Sequence, residues 1–189
     1  MERKVYDKNI LDKFVEDFCG VIEKYVRYII VSGFVAISHG RARGTEDIDM
    51  IIEKIPLDIF FRMHKNLENA GFECIQSDKP EEIFDYLSKG DGVRYVRKNE
   101  FLPEMEIKFV KDEIDELQLS SRQKLPLSGL DIWFSSIEMN IAFKEELLKS
   151  DKDIEDAKHL RIIYEDEISE TLINDIKKKI KKLRLKHER

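Results

Sequence analysis

Residues 28–52, YIIVSGFVAISHGRARGTEDIDMII, restrict what this chain can fold into more than any other stretch. An apolar run from Tyr28 to Val31 ends at Ser32-Gly33. One or two helical turns follow from Phe34 to His39, then a basic polar loop from Arg41 to Glu46, and a second strand that opens on Asp47-Ile48-Asp49. Strand side chains alternate faces at about 3.3 Å per residue, so Asp47 and Asp49 share a face with Cα atoms roughly 7 Å apart. Such a pair is either the solvent face of a half-buried strand or a chelator of divalent metal. Between the strand and the helix, Ser32-Gly33 presents free backbone N–H groups to an anion. An anion seat beside two carboxylates suits a nucleoside triphosphate with magnesium.

A chain of 189 residues can bury a full core, and its 42% hydrophobic and 38% charged content fits a soluble globular protein. No apolar run approaches the roughly 20 residues of a membrane span, and the first residues, MERKVYDKNILDKF, lack a signal-peptide core. The expected location is cytoplasmic, with no membrane partner. Cys19 and Cys74 lie far apart in apolar contexts and read as reduced core residues. The four histidines show no zinc spacing. Walker-type and dinucleotide-binding glycine patterns are absent. The formal charge of −6 is uneven, because residues 177–189 carry eight Lys or Arg against one Glu, a local +7 that leaves −13 for residues 1–176.

Apolar residues at steps of three and four predict a helix over 9–25, capped by Asp7, and Pro56 and Gly71 bracket another to about Ala70. Phe72 to Ile75 reads as a strand and residues 78–90 hold a short helix. Val93 to Arg97 and Met105 to Val110 form a hairpin, followed by a helical or irregular connector over 112–123 and, over 130–134, one more strand or an extended segment. On the second hairpin strand Glu104, Glu106 and Lys108 share the polar face, which is either an exposed edge or part of a site. A capping-box spacing at Ser135 to Glu138 starts a helix to about Lys149. There Lys144 lies on the apolar stripe of Ile137, Ile141 and Leu148, so its ammonium either snorkels to the rim or meets an anion. In Lys152-Asp153-Ile154-Glu155-Asp156-Ala157, Asp153 and Asp156 stand at the edge of a core-facing stripe. The last helix, from Ile168 to about Leu185, is apolar on one side and basic on the other, a solvated face or a polyanion surface.

Ser32-Gly33-Phe34, Arg43-Gly44-Thr45-Glu46-Asp47-Ile48-Asp49, Lys144 and the Lys152-Asp153-x-x-Asp156 run together resemble the DNA polymerase β-like nucleotidyltransferase superfamily, in its minimal prokaryotic branch of abortive-infection toxin-type and small-molecule enzymes. The resemblance spans roughly residues 28–163. It implies an α+β fold with a mixed sheet flanked by helices. A catalytic core over 1–134 would carry a packed C-terminal helical segment over 135–189. It implies Mg²⁺-dependent transfer of an NMP from an NTP to a hydroxyl on RNA such as tRNA, on a protein or on a small molecule.

By the same resemblance Asp47, Asp49 and Glu106 hold two metal ions. Glu106 stands where the family usually has Asp, and it also takes the acceptor proton. Ser32, Gly33, Arg43, Thr45 and Lys144 contact the nucleotide, and Asp153 orients Lys144 or Arg43. Glu106 and the neighbouring Lys108 leave open a weakly catalytic nucleotide sensor or toxin–antitoxin partner, and the basic C-terminal helix leaves open an RNA-binding module.

Overall fold

The computed structural model describes residues 8–42, 44 and 47–187, with the side chains of 185–187 outside the description. In chain order the elements are α1 (Ile10–Ile22), β1 (Tyr28–Val31), α2 (Gly33–Ser38), β2 (Asp47–Ile52), α3 (Leu57–Asn69), β3 (Phe72–Cys74), α4 (Pro80–Lys89), β4 (Val93–Arg97) and β5 (Glu104–Phe109). There follow α5 (Glu113–Ser120), β6 (Gln123–Lys124), a 3₁₀ turn (Pro126–Ser128), β7 (Trp133–Phe134), α6 (Ile137–Phe143), a π turn (Lys144–Leu148), α7 (Asp151–Ile163) and α8 (Glu170–His187).

The strands form one mixed sheet in the order β3-β4-β5-β2-β1-β7-β6, flanked by helices as the sequence predicts. The parallel neighbours are β2 with β5 and β1 with β7. The other pairs are antiparallel, including the β4–β5 hairpin. One face is a dry core. Ile48, Met50 and Ile52 of β2 and Met105 and Ile107 of β5 pack there with Phe14, Phe18, Phe60 and Ile83 from α1, α3 and α4. Phe18 stands edge-on to Phe72 with ring centroids 5.0 Å apart. Each fully buried side chain of this size contributes about 1.5–3 kcal/mol, so the pleat that buries these residues also fixes Asp47, Asp49, Glu104 and Glu106 on the opposite face.

Several expectations are corrected here. Helix α1 is capped by Asn9, whose side chain accepts from the Asp12 N–H in a reciprocal capping box; Asp7 lies outside the described residues. Strand β5 is interior, between β4 and β2, so its polar row is no sheet edge. The connector after α5 contains β6, and the extended segment over 130–134 pairs only through Trp133 and Phe134. The helix from Ser136 loses α geometry at Lys144 and continues as a π turn to Leu148, which Lys149 ends at a φ of 60°.

Candidate active site

The parallel β2–β5 pairing sets Asp47 opposite Glu104 and Asp49 opposite Glu106, which puts four carboxylates on the open face of the sheet. The end of β1 lies beside them, with Val31 opposite Asp49. At that end the chain turns into α2 through Ser32, which has a φ of 66° and a ψ of −139°. A residue with a side chain is strained there, and glycine is not. The Ser32 hydroxyl caps no helix N–H; it hydrogen-bonds to Asp49 instead. Ser32→Gly is therefore expected to stabilise the fold by about 0.5–1 kcal/mol in urea unfolding, strain relief outweighing glycine's extra entropy. A loss of stability would show that the hydroxyl contact to Asp49 outweighs the strain.

Burial raises the Asp49 carboxyl above its ordinary value; the Ser32 hydroxyl and Lys108 oppose the rise, and Glu106 and Asp47 add to it. Glu104 is raised as well, by burial first and then by Asp47. Glu106 behaves differently. Burial pushes it up, but Lys108 and Arg94 outweigh burial and hold it below the usual carboxylate range. Lys108 pairs with one Glu106 oxygen, and Arg94 of β4 reaches the other at 2.8 Å and Glu104 at 3.2 Å. Gly92 closes over this pair: a Cβ there would stand 2.8 Å from the Glu106 Oε1 atom and 2.9 Å from the Lys108 Cε atom. Among the described residues no group of three or more His, Cys, Asp or Glu side chains is drawn together as a metal cage. The donors are nonetheless hard oxygens of the kind Mg²⁺ takes.

Lys144 does not snorkel. It is 1% exposed, with its ammonium 2.7 Å from Asp156 and 3.5 Å from Asp153. Asp156 is fully buried and also pairs with Arg41, whose guanidinium donates to the Lys152 carbonyl at 3.0 Å. On the same flank the His159 ring meets the His39 carbonyl at 3.1 Å, and the His39 Nε2 atom meets the Tyr164 hydroxyl at 2.7 Å. The segment leading into the Arg41–Glu46 loop is thus clasped to α7. Arg43 and Thr45 lie outside the described residues.

A cleft of about 210 Å³ opens on this face. Ser32, Asp49, Glu106, Lys144, Asp115, Gln118 and Asn140 line it, with Phe143 and Leu147 as apolar wall. Gly33 follows Ser32 as the first residue of α2 and is itself buried. Asp47 projects from the exposed start of β2. The structure therefore gathers Ser32, Asp49, Glu106 and Lys144 into one cleft. Arg94, Arg41 and the floor residues carried no recognisable motif. Arg94 was legible only through the hairpin register, which sets it opposite Glu106.

The architecture and this carboxylate face define a nucleotidyltransferase-like fold. No protein-family model and no curated protein matches the sequence. Solved structures do match. The antibiotic-resistance factor ANT(2'')-Ia, in its solution structure, superposes with a TM-score of 0.57 at 15% identity over 94% of this chain and 95% of that one. Its crystal structure in complex with adenylyl-2''-tobramycin gives 0.52 at 17% identity over 91% and 99%. An antigenic nucleotidyltransferase-like protein from Paracoccidioides brasiliensis gives 0.53 at 15% identity over 92% and 88%. At these identities the likeness is one of fold. No helix of the described residues is long and apolar enough to cross a membrane.

Proposed function

We propose that this chain is a Mg²⁺-dependent nucleotidyltransferase that moves an NMP from an NTP to a hydroxyl acceptor. The observation that carries the reading is the β2–β5 register, which sets Asp49 against Glu106 in the cleft that Ser32 and Lys144 also line. Asp47, Asp49 and Glu106 would hold the metal, which neutralises triphosphate charge and polarises the reacting oxygens when bound. The N–H groups after Ser32 take the β- and γ-phosphates, joined by the Ser32 hydroxyl when it turns from Asp49, and Lys144 adds a cation that Asp153 and Asp156 hold in place. Arg43 and Thr45 are assigned to further phosphate contacts. Glu106 accepts the proton of the acceptor hydroxyl.

For the acceptor, the complex of ANT(2'')-Ia with an adenylylated tobramycin makes a small-molecule hydroxyl the first candidate; tRNA and protein hydroxyls are the others. The test offers purified protein each α-labelled NTP with Mg²⁺ and, in parallel, aminoglycosides, total RNA and protein extract. Label on one acceptor class supports the reading; none with any acceptor or NTP sinks it.

One observation favours a second reading, a nucleotide sensor or toxin–antitoxin partner with weak transfer: both Glu106 oxygens are already engaged, by Lys108 and Arg94. Lys108→Met decides between them. If the ion pair restrains Glu106, the variant binds Mg²⁺ several-fold tighter by calorimetry and transfers faster. Unchanged metal affinity and rate show that the pair opens without hindrance in the wild type. The RNA-binding reading of α8 gains no such support, because Lys177, Lys178 and Lys181 pair with Glu145, Asp175 and Glu146.

A further inference from the structure

Asp115, Gln118 and Asn140 of the cleft have no role in the chemistry above, yet they are buried polar side chains. Asp115 is 6% exposed, and Gln118 and Asn140 are 4% exposed each. Three of the four amide N–H groups of Gln118 and Asn140 bond within the protein. Asn140 gives its amide N–H groups to the Ser135 and Ser136 carbonyls, both at 3.0 Å. Gln118 directs its amide at Asp115, 3.4 Å away, and its carbonyl accepts from the Ser135 hydroxyl at 3.2 Å. Asp115 accepts the Lys111 backbone N–H at 3.1 Å. A carboxylate has about four acceptor positions, so Asp115 keeps capacity. The floor therefore offers the Asp115 carboxylate as an acceptor, and Lys111, which lines the same cleft, supplies a cation.

The sheet order says which part of a nucleotide belongs there. Ser32 follows β1, Asp47 and Asp49 lie on β2, and Glu104 and Glu106 on β5, so the sites for pyrophosphate, α-phosphorus and acceptor follow one another across the strands. Displacement at phosphorus keeps attacking and leaving oxygens in line, here across the sheet. The nucleoside must then leave at a steep angle to that line. Along the strands from Asp49 past Ile51, the cleft runs in that direction to α5 and α6, and Phe143 provides a ring at its wall.

We infer that the part of the cleft lined by Asp115, Gln118 and Asn140 receives the nucleoside of the donor nucleotide and that the Asp115 carboxylate selects guanine. This rests on reading the cleft as a nucleotidyltransferase site. Guanine alone among the four bases presents two adjacent N–H donors, N1–H and the 2-amino group, which match the two oxygens of a carboxylate. Beside them O6 accepts from Lys111. Adenine and cytosine set a ring-nitrogen acceptor beside their amino group, and uracil flanks its single N–H with two carbonyls; each would turn a lone pair toward Asp115.

Calorimetric titration of the full chain with each Mg²⁺–NTP tests this. GTP is expected to bind about tenfold or more tighter than ATP, CTP or UTP, from the bidentate charge-assisted pair. Inosine triphosphate, which lacks the 2-amino group, should lose most of that advantage on the wild-type protein, so the result does not depend on a variant folding. Asp115→Asn should lower GTP affinity about tenfold and should not lower ATP affinity, because it removes the carboxylate that an adenine ring nitrogen would face. Equal binding of all four NTPs, a preference for another base, or inosine triphosphate and Asp115→Asn both matching the wild-type value for GTP would overturn the assignment and leave nucleotidyl transfer standing. No binding of any NTP would remove both.

Discussion

Asp49→Asn is expected to abolish nucleotidyl transfer, by at least about 10²–10³-fold, and at the same time to make the metal-free protein more stable. The loss follows from removing the carboxylate that links the Ser32 turn to the β2–β5 face, the one group of the proposed site that touches both. The gain follows from its electrostatics. Burial first, with Glu106 and Asp47 added, holds the Asp49 carboxyl above its ordinary 3.8. The folded state thus keeps this proton more tightly than the unfolded chain. Stability is lost as pH rises from the ordinary value through the raised one, and at neutral pH the ionised group is a net cost. Glu106 has the opposite sign: its depressed carboxyl stabilises above the unfolded value, and that contribution disappears as pH falls through the folded value. Thermal unfolding without metal should show Asp49→Asn melting above the wild type at neutral pH, with the gap closing on acidification. A variant that melts lower and still transfers would overturn both the metal role and the electrostatic account.

The largest effect on stability is expected at Asp156. It is fully buried between Lys144 and Arg41, and removing it takes from the buried Lys144 ammonium its carboxylate partner at 2.7 Å, with Asp153 farther off at 3.5 Å. Breaking a buried pair from one side typically costs about 3–5 kcal/mol, because an uncompensated charge stays in a low-dielectric interior. Asp156→Ala should show a loss of that size in urea unfolding. Replacing both partners by apolar residues, Lys144→Met with Asp156→Leu, should recover most of it, since neither charge then needs solvation and Arg41 can turn to water. If Asp156→Ala costs less than about 1 kcal/mol, water reaches Lys144 and the pair is no interior contact.

Much of this arrangement was legible beforehand, for local reasons. The strand, turn, short helix and second strand over 28–52 follow from side-chain period and turn chemistry, which act over a few residues. The polar face of β5 followed from alternation, and Lys144 stood out because an ammonium on an apolar stripe breaks the pattern. What escaped was short or distant. Strand β6 holds two residues, too few for any period, and β7 takes only the last two residues of the segment read as a strand or extended chain. The true cap of α1 lies two residues from the expected one, since Asn9 and Asp7 are both competent caps and only the helix start decides between them. Gln118 and Asn140 read as ordinary helix residues until α5 and α6 face each other across the cleft.

By itself the sequence determined that Asp47 and Asp49 share a strand face, that a turn with free N–H groups precedes them, and that Lys144 interrupts an apolar helix stripe; Glu106 was singled out by the family resemblance. The first three rest on geometry between near neighbours in the chain. Only the tertiary structure decided which charges meet: Glu106 with Lys108 and Arg94, Lys144 with Asp156, and Asp49 opposite Glu106. Those pairings join residues through sheet order and helix packing, and once burial removes water the Coulomb interaction between them depends on placement in space and not on spacing in the chain.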